Sequence, residues 1–208
     1  MEPCKSVLAG LLLAALPSLV AGADRRAPDL PSMAAVRQEL GLKGMGSLRI
    51  DMDIRSVFGG SQYELADRVN RLDMNVSEDS GGRGYQFSGN VDGRYVTGQV
   101  VAQSDGSPYR IWSSGLNLEM RPSGDGSYEI SGFVDELDGS KYLRVTLRQR
   151  GTPGSFSIWE SGFNGDVSRF GSDARLSGQM ESGRFGKKSL ACVGVFIAVI
   201  ESQLNQPR

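Results

Sequence analysis

Phe87-Ser88-Gly89-Asn90-Val91-Asp92, Ile130-Ser131-Gly132-Phe133-Val134-Asp135 and Leu176-Ser177-Gly178-Gln179-Met180-Glu181 repeat one pattern: apolar, serine, glycine, variable, apolar, acid. An aromatic follows each copy, at Tyr95, Tyr142 and Phe185. A second motif recurs at a similar offset, as Ile111-Trp112-Ser113-Ser114-Gly115-Leu116-Asn117 and Ile158-Trp159-Glu160-Ser161-Gly162-Phe163-Asn164. Self-similarity at a period of roughly 45 residues means that one supersecondary unit is used several times. The copies run over about 85–126, 128–172 and, in part, 174–200.

Around these motifs the chain alternates with period two. Leu48, Ile50, Met52 and Ile54 interleave with Arg49, Asp51, Asp53 and Arg55, which is the pattern of a strand with one buried and one wet face. Leu143, Val145 and Leu147 alternate with Arg144, Thr146 and Arg148 in the same way. Asp-Gly pairs at 92–93, 105–106, 125–126 and 138–139, and Asn164-Gly165, have the composition of tight hairpin turns. No segment of crossover-helix length separates them, so the strands are antiparallel.

Strands are expected at 46–57, 63–77, 84–91, 94–103, 108–121, 127–135, 141–150, 155–163, 173–181 and 187–200. The fold class is all-β, an up-and-down meander of about eight to ten strands with about three per repeat. Closure into a barrel removes exposed edges, and a β-sandwich is the alternative arrangement.

The N-terminus has the form of a secretory signal over 1–23. Lys5 precedes an apolar run from Val7 to Val20, and Ala21-Gly22-Ala23 is a small-residue cleavage site. A Pro-rich leader occupies 24–45, in which Ser32 caps a short helix carrying Met33, Val36 and Leu40 on one face. The domain proper then covers 46–208.

Composition narrows the chemistry. Lys and Arg number 23 against 24 Asp and Glu, scattered along the chain, which gives nucleic acid no basic patch to use. Histidine is absent, so the common nucleophile triads and the commonest zinc ligand are missing. No cofactor or metal is expected, and no catalytic residue is assigned. Asp51 and Asp53 are the one carboxylate pair with acid–base spacing, yet Arg49 and Arg55 on the same face make a solvated charge ladder the simpler reading. Cys192, set among Leu190, Ala191 and Val193, reads as a small buried hydrophobe.

Two features are candidates for function. Trp112 and Trp159 either pack over the repeat glycines inside the core or serve as stacking platforms for a glycan or another flat ligand. The Ser-Gly after each is a candidate bulge. From Ser189 to Ile200 alternation disappears, and the run reads as a strand apolar on both faces. Val193, Val195, Ile197 and Val199 then share a face that is either covered or an interaction surface; a helix packed in the core also fits the run. Phe170-Gly171-Ser172-Asp173-Ala174-Arg175-Leu176-Ser177-Gly178, with Phe185-Gly186-Lys187-Lys188, resembles the closing strands of transferrin-binding-protein-like surface β-barrels. The stretch implies no site residue and no activity for this chain.

The sequence therefore leads to an exported, non-enzymatic binding module of the bacterial periplasm or extracellular space, holding a small apolar or glycan ligand. The alternative is an envelope-associated structural or interaction protein, or a small outer-membrane barrel, that uses the 189–200 strand.

Overall fold

The computed structural model describes residues 46–82, 84–102 and 109–206; the expected signal, leader and N-terminal helix lie outside them. Twelve antiparallel strands close into a barrel in which each strand pairs with its sequence neighbours and the first pairs with the last. They are β1 Ser47–Val57, β2 Gln62–Asp67, β3 Leu72–Glu78, β4 Gly84–Val91, β5 Arg94–Ala102 and β6 Tyr109–Ser113, then β7 Leu116–Pro122, β8 Tyr128–Glu136, β9 Gly139–Gln149, β10 Phe156–Glu160, β11 Phe163–Phe170 and β12 Asp173–Glu181. One 3-10 turn, Phe58–Gly60, joins β1 to β2. Closure runs from Ser47 opposite Glu181 to Ile54 opposite Ala174.

The strand count exceeds the expected one because three expected strands are hairpins. The 63–77 segment folds back at Arg68–Arg71, 108–121 at Ser114-Gly115, and 155–163 at Ser161-Gly162 with a further strand beyond it. Each turn shifts the phase of the alternation, from Leu65 and Asp67 inward before the first to Leu72 and Met74 after it, and from Ile111 to Leu116 and Leu118 at the second, so the fold-back is marked only by a break in phase inside an apolar-rich segment. The candidate bulges after the tryptophans are accordingly two-residue turns, with Gly115 and Gly162 at positive φ. Asn164-Gly165 is not a turn; both residues lie inside β11. The hexapeptides fall on β4, β8 and β12, so each repeat supplies four strands rather than three, and three repeats complete the circle.

The repeat glycines explain how the wall closes. Gly89, Gly132 and Gly178 lie opposite Met74, Leu118 and Gly165 on the preceding strand. A Cβ at any of the three would overlap the neighbouring carbonyl oxygen, of Asp73, Asn117 or Asn164 respectively. The missing side chain lets adjacent strands press together and bend at the same point in every repeat.

A helix, α1 Lys187–Asn205, occupies the barrel interior, and this corrects the expected strand over 187–200. Leu190 to Ser202 is buried without interruption. A helix apolar all round belongs inside a protein, where every face meets core. By length and composition it could also cross a membrane, but here most of it is enclosed by the barrel. Gly194 lets it approach β1, since a Cβ there would meet Met52 Sδ at 2.5 Å. Met52, Leu65, Met74, Ile111, Ile130 and Val145 point inward from the wall onto this core.

Both ends of α1 are tied to the wall. Glu136 of β8 caps the N-terminus: its Oε1 accepts hydrogen bonds from Ser189 N and Oγ, each 2.8 Å, and its Oε2 accepts one from Lys188 N at 3.3 Å. At the other end Asn205 Nδ2 donates to Tyr63 Oη at 2.9 Å, and Ser202 Oγ donates to Gly60 O at 3.3 Å. Arg169 of β11 bonds Asn205 and forms an ion pair with Glu201.

Candidate functional site on the outer wall

Alternation fixes where each tryptophan points. Ile111 and Ile158 are fully buried, so Trp112 and Trp159 next to them face outward, 62% and 70% exposed. Packing over the glycines inside the core does not occur. The two-residue turn after each motif returns the chain in register, setting Trp112 opposite Asn117 and Trp159 opposite Asn164. The remaining repeat has Leu65 inward and Ala66 outward at the corresponding place, with Asp73 opposite Ala66. The wall therefore closes without an indole at this position.

Following the ladders sideways from Trp112 gives a row of outward residues. On β2 to β5 it holds Gln62, Ser77, Gln86 and Gln99. On β6 to β9 it continues through Trp112, Asn117, Phe133 and Tyr142. No member is ionisable at neutral pH. Phe133 and Tyr142 meet edge to face with ring centroids 5.1 Å apart. A depression of about 440 Å³ lies along the β3–β5 part, lined by Asn75, Gln86, Ser88, Tyr95, Thr97 and Gln99 among others, again without a charge.

Charge stands beside this row on the β6–β9 side of the wall. The neighbouring row on β6 to β9 contains Arg110, Glu119, Ser131 and Arg144, with Arg110–Glu119 at 3.1 Å and Arg144–Glu129 at 3.1 Å. The row from Trp159 passes Asn164 and Gln179 and ends at Arg49. Its depression, about 270 Å³, includes Glu181.

The other sequence candidates separate cleanly. Val193, Val195, Ile197 and Val199 are fully buried on α1 and form no outer surface, because the segment carrying them is the core helix. Asp51 receives Arg175 Nε at 2.9 Å and Nη2 at 2.5 Å, and Asp53 pairs with Arg55 at 3.4 Å, which is a charge ladder extended by β12. Asp92 and Asp138 stand in hairpin turns and pair with Lys187 at 3.0 Å and Lys141 at 2.8 Å. Those pairs border a depression of about 230 Å³ around the α1 N-terminus, whose charges are thus largely matched. Cys192 is buried, and burial pushes its thiol pKa well up, away from the thiolate form that a nucleophile needs. Among the described residues no group of three or more His, Cys, Asp or Glu side chains is arranged to hold a metal ion.

Sequence reading missed Phe133, Tyr142, Tyr95, Gln86 and Gln99 as companions of Trp112. Their signal is the hairpin count. Once the turn at Ser114-Gly115 is recognised, Asn117 falls opposite Trp112 and the next hairpin brings Phe133 alongside. No family model, no curated protein and no solved structure matches this chain.

Proposed function

We propose that this protein is an exported, non-enzymatic binding module that holds carbohydrate on the tryptophan-bearing outer wall of its barrel. The observation that carries this reading is the exposed Trp–Asn pair, made twice by the repeat and absent from the third copy, where Ala66 stands. An indole in water at a position the fold can fill with alanine is a poor choice for stability and a good one for contact. Its flat face suits the C–H face of a sugar ring, and the facing amide both donates to and accepts from hydroxyl groups.

The wall is preferred to the interior because α1 takes up the space a ligand would need. Export rests on the N-terminal sequence: Lys5, the apolar run to Val20 and the Ala21-Gly22-Ala23 site. A non-enzymatic role is supported by the lack of histidine and by the pairing of Asp51 and Asp53 with arginines. An outer-membrane barrel turns an apolar band to lipid, whereas Arg49, Asp51, Glu64, Asp73, Glu119 and Arg144 all point outward here.

Titration of the protein lacking residues 1–23 with short neutral oligosaccharides, followed by tryptophan fluorescence, tests the reading. Binding is expected to shift or quench the emission, and the Trp112→Ala, Trp159→Ala double variant is expected to lose binding by calorimetry. A wild-type protein that shows no change and no heat with any oligosaccharide ends the proposal.

A further inference from the structure

We infer that Trp112 anchors an extended cleft for a linear, neutral glycan chain, whereas Trp159 belongs to a short contact; this deepens the carbohydrate reading and rests on it. The two tryptophans occupy the same place in the repeat, so what differs between them is their surroundings.

Beside Trp112 the neutral row continues on both sides. Toward β3 it enters the depression of about 440 Å³, where Gln86 and Gln99 present amides and Ser88 and Thr97 present hydroxyls. Toward β9 it reaches Asn117 and then the Phe133–Tyr142 ring pair. From Gln86 on β4 to Tyr142 on β9 there are five strand spacings, a path of about 24 Å along the curved wall at the usual interstrand distance. Amides and aromatic faces thus follow one another along one row, Gln86, Gln99, Trp112, Asn117, Phe133 and Tyr142, and give a chain of sugar rings both stacking surfaces and hydrogen-bond partners.

Charge selects the ligand class. The row carries none, while Arg110, Glu119 and Arg144 run beside it and pair with protein partners. An anionic polymer finds no free cation on the line, and its own charges would lose water there without compensation. A neutral polyhydroxyl chain loses little and exchanges hydrogen bonds with water for hydrogen bonds with amides. The Trp159 row lacks this continuity, since it meets Arg49 within three strands and borders Glu181.

Calorimetric titration with cellobiose, cellotetraose and cellohexaose, alongside xylohexaose and hexagalacturonate, tests the inference. Affinity is expected to rise at least tenfold from cellobiose to a neutral hexasaccharide, with hexagalacturonate failing to bind. Trp112→Ala is expected to remove that gain and Gln86→Ala, Gln99→Ala to reduce it several-fold, whereas Trp159→Ala leaves it intact. Binding that is independent of chain length, or a gain that survives Trp112→Ala, overturns the extended cleft while leaving the carbohydrate reading standing. Preference for the anionic oligomer overturns the neutral class. Absence of binding to every oligosaccharide removes both. All four substituted side chains lie on the wet face of the wall, and an unchanged circular dichroism spectrum and melting temperature distinguish lost binding from lost folding.

Discussion

Glu201 Oε2 lies 2.7 Å from Arg169 Nε where the C-terminal part of α1 meets β11, and the glutamate is fully buried. Neither carboxylate oxygen receives a well-directed hydrogen bond. Burial raises the Glu201 pKa from 4.5 to about 7, against the opposing pull of the Arg169 guanidinium. The folded barrel therefore holds this proton more tightly than the unfolded chain does.

Stabilisation by the Glu201 proton is complete below the unfolded value near 4.5 and is lost as pH rises through about 7. The difference amounts to about 3 kcal/mol across that window. The urea midpoint of the wild type is expected to fall between about pH 5.5 and about pH 8, and that of Glu201→Gln to fall much less. Parallel curves for the two proteins would contradict the assignment.

At Gly132 the φ angle is +144°, and a Cβ would overlap the Asn117 carbonyl. Gly132→Ala is expected to destabilise the barrel by about 2–3 kcal/mol, through overpacking and a backbone angle that alanine resists. Equilibrium denaturation measures this, and a neutral result would show that the strands bend elsewhere.

Asn70 locks the β2–β3 turn onto β1. Its Nδ2 donates to Arg49 O at 2.8 Å and to Asp67 Oδ2 at 2.8 Å, while Asp67 also accepts Asp51 N at 3.1 Å. Removing the amide takes away the bond to Arg49 O and one of the two donors to Asp67 Oδ2, so Asn70→Ala is expected to cost about 1–3 kcal/mol by the same measurement. A loss of a few tenths would mean that solvent takes over these bonds.

For the tryptophans the expectation is the reverse. Trp112→Ala and Trp159→Ala each remove only exposed cross-strand contact, and a loss below about 1 kcal/mol is expected from thermal unfolding. A larger loss in either would assign the indole to the architecture of the wall and withdraw the case for ligand contact.

Much of this architecture is written in local pattern, and the rest fails for identifiable reasons. Alternation at Leu48–Ile54 and at Leu143–Leu147 locates β1 and β9, and the Asp-Gly pairs at 92–93 and 138–139 locate their hairpins. Strand number is hard to read where the only mark of a turn is a one-position shift in the alternation, as between Asp67 and Leu72 or between Ser113 and Leu116. The run from Ser189 to Ile200 has apolar residues at nearly every position, so neither period stands out. Its length, beyond that of an ordinary buried strand and free of Pro, Asn and Asp, is the signal favouring α1. Trp112 and Trp159 are visible as candidates, but their facing follows only after the Ser-Gly turns are placed, and the amides that accompany them come from other strands.

Synthesis proceeds from the N-terminus, yet β1 finds its second neighbour only in β12, and the interior is filled by the segment made after that. Until α1 emerges, the inward faces of all twelve strands have nothing to close upon. Early hairpins can pair, but the last step joins the two ends of the domain across the greatest sequence distance in the fold. A sheet not yet closed on α1 carries open edges and a bare apolar lining, the surfaces through which such a chain aggregates.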